Sequence, residues 1–310
     1  MWCLKNRHLQ TILPSLIHPV SPRVEKERIE LEDGDFIDLQ WTPVRSAKTL
    51  LVLHGLEGSV HSAYAKRILN YCNAQQIAAV LMHFRGCSGE QNRLLRSYHS
   101  GETSDLQRVI KHLQSSGITS IALLGYSLGG NVTLKYMGET STDPVIQCAI
   151  AVSAPMELDI CADTMNRGFA RIYQIALLRS LIKKLHLKRT LLNASDRYFP
   201  DPRSMRSFRQ FDDSFTAPIH GFDSAEHYYE SCSSRQFLAH IDKPTLIIHS
   251  RDDPFMTAEV LPREHELSAS VKLELSSHGG HVGFLGDRKL YPSLWLQHRI
   301  HRFLRDQEFI

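Results

Sequence analysis

The chain has 310 residues and a mass of 35.4 kDa, which suits one large domain or two small ones. Hydrophobic residues make up 42% of it and charged residues 22%, as in globular proteins and unlike disordered chains. The 36 basic and 33 acidic side chains leave a net charge of +3, too small to indicate a nucleic-acid-binding protein. Its apolar runs are shorter than the roughly 18 residues of a membrane-spanning helix.

The N-terminus and the cysteines indicate a cellular compartment. Residues 1–7 contain no apolar segment and no small-residue cleavage site, so they do not resemble a secretory signal peptide. The six cysteines are scattered, and none forms a Cys-x-x-Cys pair. That distribution argues against a disulfide framework and against a zinc site, and we expect neither a metal nor a cofactor. Together these features predict a cytoplasmic enzyme.

Strand and helix patterns alternate through the first half of the chain. Two short alternating runs, residues 28–32 and Phe36–Trp41, flank the turn at Asp33–Asp35 and predict a β-hairpin. Continuous apolar runs, which suit strands covered on both faces, follow with helical patterns between them at Leu50–Leu53, Ala78–Met82, Ile121–Leu124 and Ala149–Val152. The repeated strand–helix order predicts an α/β fold with a mostly parallel central sheet and helices on both faces.

The alternation stops between about residues 155 and 240, where strand patterns are missing. Strand patterns return at Thr245–His249 and Val271–Leu275, before a final helical pattern. An insertion between two stretches of one sheet is best interpreted as a cap over the strand ends. The sequence therefore predicts a single domain of residues 1–310, with a core of residues 24–154 and 241–310 and a helical cap of about residues 155–240.

The centre of the cap, Arg167–Arg189, carries seven basic and no acidic residues, with apolar residues at helical spacing. This pattern predicts one or two helices and leaves two interpretations open. Either the apolar face packs on the core while the basic face lies in water, or the cap touches anionic lipid peripherally.

The sharpest motif is Gly125-Tyr126-Ser127-Leu128-Gly129, which fits G-x-S-x-G between an apolar strand and a helical pattern. A strand that turns abruptly into a helix crowds its neighbours, so the residues two before and two after the serine must be small. The turn projects the Ser127 hydroxyl above the sheet. It also leaves the amide of Leu128 at a helix N-terminus, where it can stabilise an oxyanion. The sequence therefore predicts Ser127 as a nucleophile.

A serine hydroxyl needs a base to remove its proton, and the base needs an orienting acid. With this serine motif the expected chain order is serine, acid and histidine. Asp252 and Asp253 follow one predicted strand, and His278 and His281 follow the next, so the order is met.

Each pair of neighbours offers two candidates. We prefer Asp253 because the acid should lie just before the chain turns away, which leaves Asp252 to brace the loop. We prefer His281 because Val282–Phe284 can pack its loop down, whereas His278 is nearer the strand end. A His-x-x-His metal site is disfavoured because no Cys, Asp or Glu lies at ligand spacing around the two histidines.

A second oxyanion donor should come from the loop after an early strand. The segment His54–Gly58 lies there, and its glycines let the backbone curl toward the nucleophile. The amide of Leu56 is therefore predicted to act with that of Leu128. Cys87 follows another strand at the same edge, but no base motif accompanies it, so we expect a buried structural thiol.

These motifs together resemble the α/β-hydrolase fold, and the chain is similar to the YheT-like bacterial hydrolases. The eukaryotic relatives of that family are α/β-hydrolase-domain proteins that act on lipid esters. The matching segments run through nearly the whole chain at Asn6–Thr11, Asp33–Phe36, His54–Ser59, Met82–Glu90, Tyr98–Thr103, Gly125–Asn131, Phe211–Asp213, Asp252–Phe255 and His278–Phe284. The resemblance carries the serine, acid and histidine roles onto Ser127, Asp253 and His281.

The resemblance implies a serine hydrolase that cleaves short- to medium-chain acyl esters or monoacylglycerols through an acyl-enzyme. An acyltransferase or thioesterase would use the same residues and is the main alternative, because pocket shape and water access decide between them. A non-catalytic lipid-binding module is a weaker alternative, because the three expected residues are intact. The expected partner is a small-molecule acyl ester, with no nucleic acid and no transmembrane segment.

Overall fold

A computed structural model describes residues 5–17, 19–140, 143–192, 199–285 and 295–310. Within these residues one sheet has eight strands, which are β1 (Glu25–Glu30), β2 (Phe36–Trp41), β3 (Lys48–Leu53), β4 (Ala79–Met82), β5 (Ser120–Tyr126), β6 (Ile146–Val152), β7 (Thr245–Ser250) and β8 (Val271–Ser276). The first four residues, on which part of the signal-peptide argument depends, lie outside the described residues.

The α-helices of the described residues cover this sheet. They are α1 (Arg7–Leu16), α2 (Ala63–Ala74), α3 (Thr103–Ser115), α4 (Leu128–Glu139), α5 (Leu158–Met165), α6 (Ala170–Leu192), α7 (Phe208–Phe211), α8 (Ala217–His220), α9 (Ala225–Cys232) and α10 (Trp295–Asp306). A π-helical turn, Asp212–Thr216, joins α7 to α8. Among the described residues no helix is both long and apolar enough to cross a membrane.

The strands lie in the order β1-β2-β4-β3-β5-β6-β7-β8 across the sheet. The hairpin of β1 and β2 is antiparallel, and β2 also runs antiparallel to β4. Every other neighbouring pair is parallel. This topology confirms the predicted class, a mostly parallel sheet with helices on both faces.

The central strands are covered on both sides, which explains their continuous apolar runs. In β3, Leu51 and Leu53 belong to the apolar cluster formed with α3 and α4. Leu50 and Val52 of the same strand face the opposite cluster, with α2 and α10. The sheet is therefore the middle layer of three, and its strand ends are the places where polar side chains can reach a cleft.

Parallel strands bring their carboxyl ends to one edge of a sheet, where α/β proteins bind ligands. Strands β3, β5, β7 and β8 all end at this edge. The segments that follow these four strands carry every site residue that the sequence predicts. The fold therefore brings together positions that lie as far as 225 residues apart in the chain, from Leu56 to His281.

Helices α5 to α9 lie between β6 and β7, and side chains of α5, α6, α7 and α9 share a chamber with the loops at the carboxyl edge. The predicted cap of about residues 155–240 contains residues 193–198, which lie outside the described residues. The exact division into core and cap stays a prediction.

The longest helix of the cap, α6, differs from the expected amphipathic pattern. Lys188 is 4% exposed, and the Lys184 ammonium forms an ion pair with the buried carboxylate of Glu57. Ile172 and Leu187 are instead 56% and 48% exposed. The expectation that the basic side lies wholly in water is wrong at both lysines, because acceptors across the chamber satisfy their ammonium groups.

Candidate active site

Ser127 lies in a strained turn between β5 and α4. Its φ of 53° and ψ of −120° are rarely adopted by residues with a side chain. The turn is held by its neighbours, because the Ser127 N–H donates to the carbonyl of Val152 at 2.8 Å. The amides of Gly130 and Asn131 donate to the Ser127 carbonyl at 2.8 and 3.1 Å. This strain is the geometry that G-x-S-x-G motifs require.

The glycines on either side of Ser127 leave no room for a side chain. A Cβ atom on Gly125 would lie 2.1 Å from the carbonyl oxygen of Gly129. A Cβ atom on Gly129 would lie 2.5 Å from the carbonyl oxygen of His54. Both distances are far shorter than van der Waals contact, which is the crowding that the sequence argument expected at these positions.

Ser127, His281 and Asp253 form one hydrogen-bonded chain. The Ser127 Oγ lies 2.9 Å from the Nε2 of His281, and the Nδ1 of that histidine lies 2.8 Å from the Oδ2 of Asp253. Because the carboxylate accepts the Nδ1 proton, Nε2 is left to accept the hydroxyl proton of Ser127. The other carboxylate oxygen accepts from the N–H of Phe255 at 2.9 Å. The structure thus brings together the three predicted residues.

The second acid and histidine form a separate pair. The Nδ1 of His278 lies 3.1 Å from the Oδ2 of Asp252. The other oxygen of Asp252 accepts from the amides of Gly279 and Gly280 at 2.9 and 3.0 Å. Asp252 therefore fixes the start of the histidine loop, while the acid beside it faces His281.

The N-terminal helix α1 holds the same loop from the other side. The Thr11 Oγ1 accepts the N–H of His281 at 2.9 Å. The Gln10 side chain, which is fully buried, accepts from the Leu285 amide at 2.8 Å and donates to its carbonyl at 3.3 Å. No role of Thr11 or Gln10 could be predicted from the sequence. The only signal for them was the family match at Asn6–Thr11.

The serine and histidine open into a chamber between the sheet edge and the cap. Most of its walls are apolar, formed by Leu158, Met165, Leu177, Leu181, Leu185, Phe208, Phe211, Phe215, Phe255 and Met256. The ring of Phe255 stacks on the His281 imidazole with the ring centres 4.0 Å apart. Such walls suit an apolar ligand that approaches the serine from the cap side.

A few ionisable groups interrupt the chamber walls. Burial raises the pKa of Asp212 to about 6, although Thr216 and Tyr229 both donate hydrogen bonds to its carboxylate. Burial lowers the pKa of Lys188 to about 7, and its ammonium donates to two backbone carbonyls. Burial also raises the pKa of Cys87 to about 11, which keeps this thiol protonated and poorly nucleophilic at neutral pH.

The two residues predicted to supply the oxyanion donors both line the chamber. Leu56 follows β3, Leu128 begins α4, and both line the cavity beside Ser127. Within the described residues neither backbone N–H donates to a protein acceptor. Two unpaired amides near one hydroxyl can donate to an oxygen that becomes negatively charged there. Their role in an oxyanion site stays a prediction.

A cluster without a signal in the sequence lies beside the chamber, which His99 lines. Here His99, Glu102 and His220 place possible metal-ligand atoms within 4.8 Å of one another. The Gly101 N–H donates to the Nδ1 of His99 at 3.2 Å, so Nε2 carries the ring proton and faces Glu102 at 3.5 Å. Arg96 already occupies the same carboxylate oxygen at 2.6 Å. Internal partners use the candidate ligand atoms of His99 and Glu102, although the buried Nε2 of His220 has no hydrogen-bond partner among the described residues. With two of the three groups already engaged, the geometry does not favour a cation there.

The comparison with known proteins agrees with the fold. A family model described as the alpha/beta hydrolase fold matches residues 48–287. YheT of Escherichia coli (strain K12), named as a presumed esterase, is 43% identical over 305 residues, which cover 95% of this chain and 89% of that protein. The chain therefore belongs to the α/β hydrolase family. The similarity to YheT confirms the resemblance found in the sequence.

Further relatives indicate the type of hydrolase. The monoacylglycerol lipase of Saccharomyces cerevisiae is 31% identical over 268 residues, which cover 83% of this chain and 58% of that protein. Among solved structures, the Pyrococcus furiosus esterase Pf2001 has a TM-score of 0.61 at 18% identity and covers 93% of this chain and 92% of its own. At that identity the structure shows the fold alone. The sequence relatives define this chain as an esterase- or lipase-type hydrolase.

Proposed function

We propose that the protein is a serine carboxylesterase that hydrolyses acyl esters through an acyl-enzyme. The observation that supports this best is the hydrogen-bonded chain from Ser127 through His281 to Asp253 beside an apolar chamber. These residue types at these distances are those that activate a serine hydroxyl at neutral pH.

The first half-reaction forms the acyl-enzyme. The Ser127 Oγ attacks the ester carbonyl carbon, its proton moves to the Nε2 of His281, and the carbonyl π electrons move onto oxygen. Asp253 keeps the imidazole in the required tautomer and stabilises the imidazolium. The amides of Leu56 and Leu128 donate to the oxyanion. Collapse of this intermediate breaks the bond to the alcohol, which leaves with the proton from His281.

The second half-reaction releases the acid. A water molecule gives a proton to the Nε2 of His281 as its oxygen attacks the acyl carbon. The tetrahedral intermediate then breaks its bond to the Ser127 Oγ, and His281 returns the proton to the serine. Protein groups therefore handle every proton transfer in the cycle.

The walls of the chamber support short- to medium-chain acyl esters or monoacylglycerols as substrates. Leu177 and Phe215 contribute to a continuous apolar surface next to the serine, which suits an acyl chain. The yeast relative is named a monoacylglycerol lipase, which is consistent with this class. The same acyl-enzyme would serve an acyltransferase or thioesterase, so the assay must separate transfer from hydrolysis.

The outer surface of α6 supports peripheral contact with lipid as part of this proposal. Phe169, Ile172 and Ile175 are 47%, 56% and 38% exposed, and Arg171 lies exposed among them. A surface that combines apolar and basic side chains suits the interface of an anionic membrane. The Phe169→Ser, Ile172→Ser double variant should lose flotation with phosphatidylglycerol vesicles and keep its activity on a water-soluble ester. Equal flotation of both proteins would remove lipid contact from the proposal.

Two predictions from the sequence remain part of the proposal. Residues 155–240 act as the cap, because α5, α6 and α7 supply side chains to the chamber wall. A cytoplasmic location is consistent with Cys72, Cys87, Cys148, Cys161 and Cys232, which are free thiols in the described part of the chain.

Hydrolysis of a p-nitrophenyl ester series from acetate to palmitate tests the function. We expect wild-type turnover that peaks at short or medium chains, and loss of that turnover in Ser127→Ala. Product analysis with added alcohol separates hydrolysis from transfer. Folded wild-type protein that neither turns over any ester nor reacts with a fluorophosphonate probe would overturn the proposal.

A further inference from the structure

The loop that carries Leu56 is fixed by two tyrosine hydroxyls. The Gly55 N–H donates to the hydroxyl of Tyr64 at 2.8 Å, and the Glu57 N–H donates to the hydroxyl of Tyr98 at 2.8 Å. The amide between them, that of Leu56, donates to no protein acceptor among the described residues, and Leu56 lines the chamber. The two flanking hydrogen bonds therefore set the direction in which this predicted oxyanion donor points.

Glu57 controls one of these two hydrogen bonds. Its φ of 54° belongs to a conformation that residues with side chains adopt only when their surroundings hold them there. The Tyr98 hydroxyl, which accepts the Glu57 N–H, also donates to the Glu57 Oε1 at 2.8 Å. The Glu57 carboxylate thus fixes the Tyr98 side chain, and the Tyr98 hydroxyl in turn fixes the Glu57 backbone.

The other partners of this carboxylate come from the cap. On α6, the Ser180 Oγ donates to the Glu57 Oε2 at 2.5 Å, and the Lys184 Nζ donates to Oε1 at 2.8 Å. Ser180 and Lys184 are four residues apart, so they lie on the same face of the helix. The carboxylate is 5% exposed and the lysine side chain 27%, so water competes little for this contact.

Lys184 keeps its positive charge in this position. Burial acts to lower the pKa of Lys184, but Cys87 and Glu57 outweigh it and raise this pKa above its ordinary value. Removing the ammonium would therefore leave a buried carboxylate without its counter-charge, which is unfavourable unless the carboxylate moves. The low-cost response is a shift of Glu57 toward water, which carries the neighbouring Leu56 amide with it.

We propose that Ser180 and Lys184 are positioning residues that complete the oxyanion site by holding Glu57 when the cap is seated. The inference depends on the proposed serine esterase function, and it assigns the cap a part in catalysis beyond enclosing the acyl chain. When α6 packs against the loop after β3, its contacts with Glu57 fix the conformation of that loop. The loop then directs the Leu56 amide toward the reacting carbonyl oxygen. Cap closure and oxyanion stabilisation are then coupled.

The test compares Lys184→Met with Lys183→Met, an exposed neighbour on the same helix. Loss of one oxyanion donor lowers kcat by about 10²–10³-fold in well-studied hydrolases, so displacement of one should cost about 10–100-fold. We expect Lys184→Met to lower kcat by this factor with KM changed less than about threefold, and Ser180→Ala to have a smaller effect. Lys183→Met should match the wild type.

A second measurement distinguishes positioning from simple stabilisation of the cap. A trifluoromethyl ketone adds to the Ser127 Oγ; a carbon–oxygen bond forms, the proton moves to His281, and an oxyanion remains. Its inhibition constant should rise by the factor by which kcat falls in Lys184→Met, while the inhibition constant of the product acid stays within about twofold.

A double variant tests whether the effect passes through Glu57. Adding Lys184→Met to Glu57→Gln should change kcat less than about threefold further, because the contact is already broken. Full additivity would overturn the proposal, as would an unchanged kcat in Lys184→Met. If Lys184→Met does not fold, Ser180→Ala and Glu57→Gln carry the same comparison. Failure of wild-type turnover and probe labelling would instead overturn the proposed function itself.

Discussion

The carboxyl edge of the sheet and the cap both supply polar groups to the chamber, but they hold those groups in different ways. At the sheet edge, Asp253 and His281 lie three and five residues beyond the ends of β7 and β8. Short loops after hydrogen-bonded strands leave little freedom, so strand register determines where these side chains lie. In the cap, Lys188 is placed by hydrogen bonds to a segment 92 and 93 residues away in the chain, and Asp212 by hydroxyls of the cap itself.

The two regions also differ in how their polar groups are satisfied. At the sheet edge the acid, base and hydroxyl partner one another and leave the serine ready to react. In the cap, Lys188 donates to backbone carbonyls, and Asp212 accepts from two hydroxyls, with no cationic hydrogen-bond partner in the part of the chain that the structure describes. This difference supports the proposal that the sheet edge carries the chemistry, while the cap positions groups and shapes the chamber.

The largest effect on kcat should come from replacing an aspartate at the sheet edge with asparagine. Asp253→Asn keeps the shape of the side chain but removes the charge that stabilises the imidazolium, so we expect kcat to fall about 10³–10⁴-fold. Asp252→Asn serves as the matched control, because its carboxylate braces the loop through Gly279 and Gly280. We expect a loss of less than about tenfold there. Steady-state kinetics with one ester measures both, and equal losses would mean that the acid is misassigned.

A smaller effect should follow from loosening the histidine loop. Thr11→Val removes the acceptor for the His281 N–H, a loss of about 1–2 kcal/mol, so we expect kcat to fall about tenfold. Thr11→Ser keeps the hydroxyl and should retain most of the activity. Kinetic measurement of the two variants side by side checks the role of α1. Equal activity in both would show that this helix does not position the base.

The difference in stability between wild type and Asp212→Asn should depend on pH, because burial in the cap shifts the pKa of Asp212. Its pKa is raised from 3.8 to about 6, so the unfolded carboxyl releases its proton at a lower pH than the folded one. Folding therefore loses stability from this group as pH rises from about 4 through about 6. Asp212→Asn avoids this loss, so its free energy of unfolding relative to wild type should rise by about 3 kcal/mol in all between pH values below the unfolded pKa and pH values above the folded one.

Urea unfolding of both proteins at pH 4.5, 5.5 and 7 measures the relative stability of Asp212→Asn. Taking the difference cancels the other groups that titrate in the same range. A difference that stays constant with pH would show that Asp212 titrates at an ordinary pKa.

The smallest effect on activity is expected from alkylation of the cysteine thiols. Burial raises the pKa of Cys72, Cys148 and Cys232 to about 12, and the pKa of Cys87 to about 11. Their thiolate fraction is therefore minute at pH 7.5. Brief treatment with iodoacetamide should leave esterase activity within about 20% of the untreated value. Rapid inactivation that follows alkylation of Cys87 would instead give this residue a functional part.

Much of the sheet edge could be predicted from the sequence because its signals are local. The serine motif lies between an apolar strand pattern and a helical pattern, and the acid and histidine candidates follow later strands in the expected order. The preference for Asp253 over Asp252 agrees with the observed contact to His281. The catalytic roles of these residues stay predictions until they are measured.

The supporting contacts could not be predicted because they join distant parts of the chain. Thr11 and His281 are 270 residues apart, and Glu57 and Lys184 are 127 apart. A lysine within a basic helix gives no local sign that it lies inward. Its orientation depends on a carboxylate whose own conformation follows from the fold of another loop.

Trapping the acyl-enzyme tests the central claim most directly. Wild-type protein is mixed with excess p-nitrophenyl butyrate, quenched in acid within milliseconds, digested and measured by mass spectrometry. The account predicts that the peptide containing Ser127 gains the mass of one butyryl group, and that Ser127→Ala gains none. A butyryl group found on another residue, or ester turnover that persists in Ser127→Ala, would contradict it.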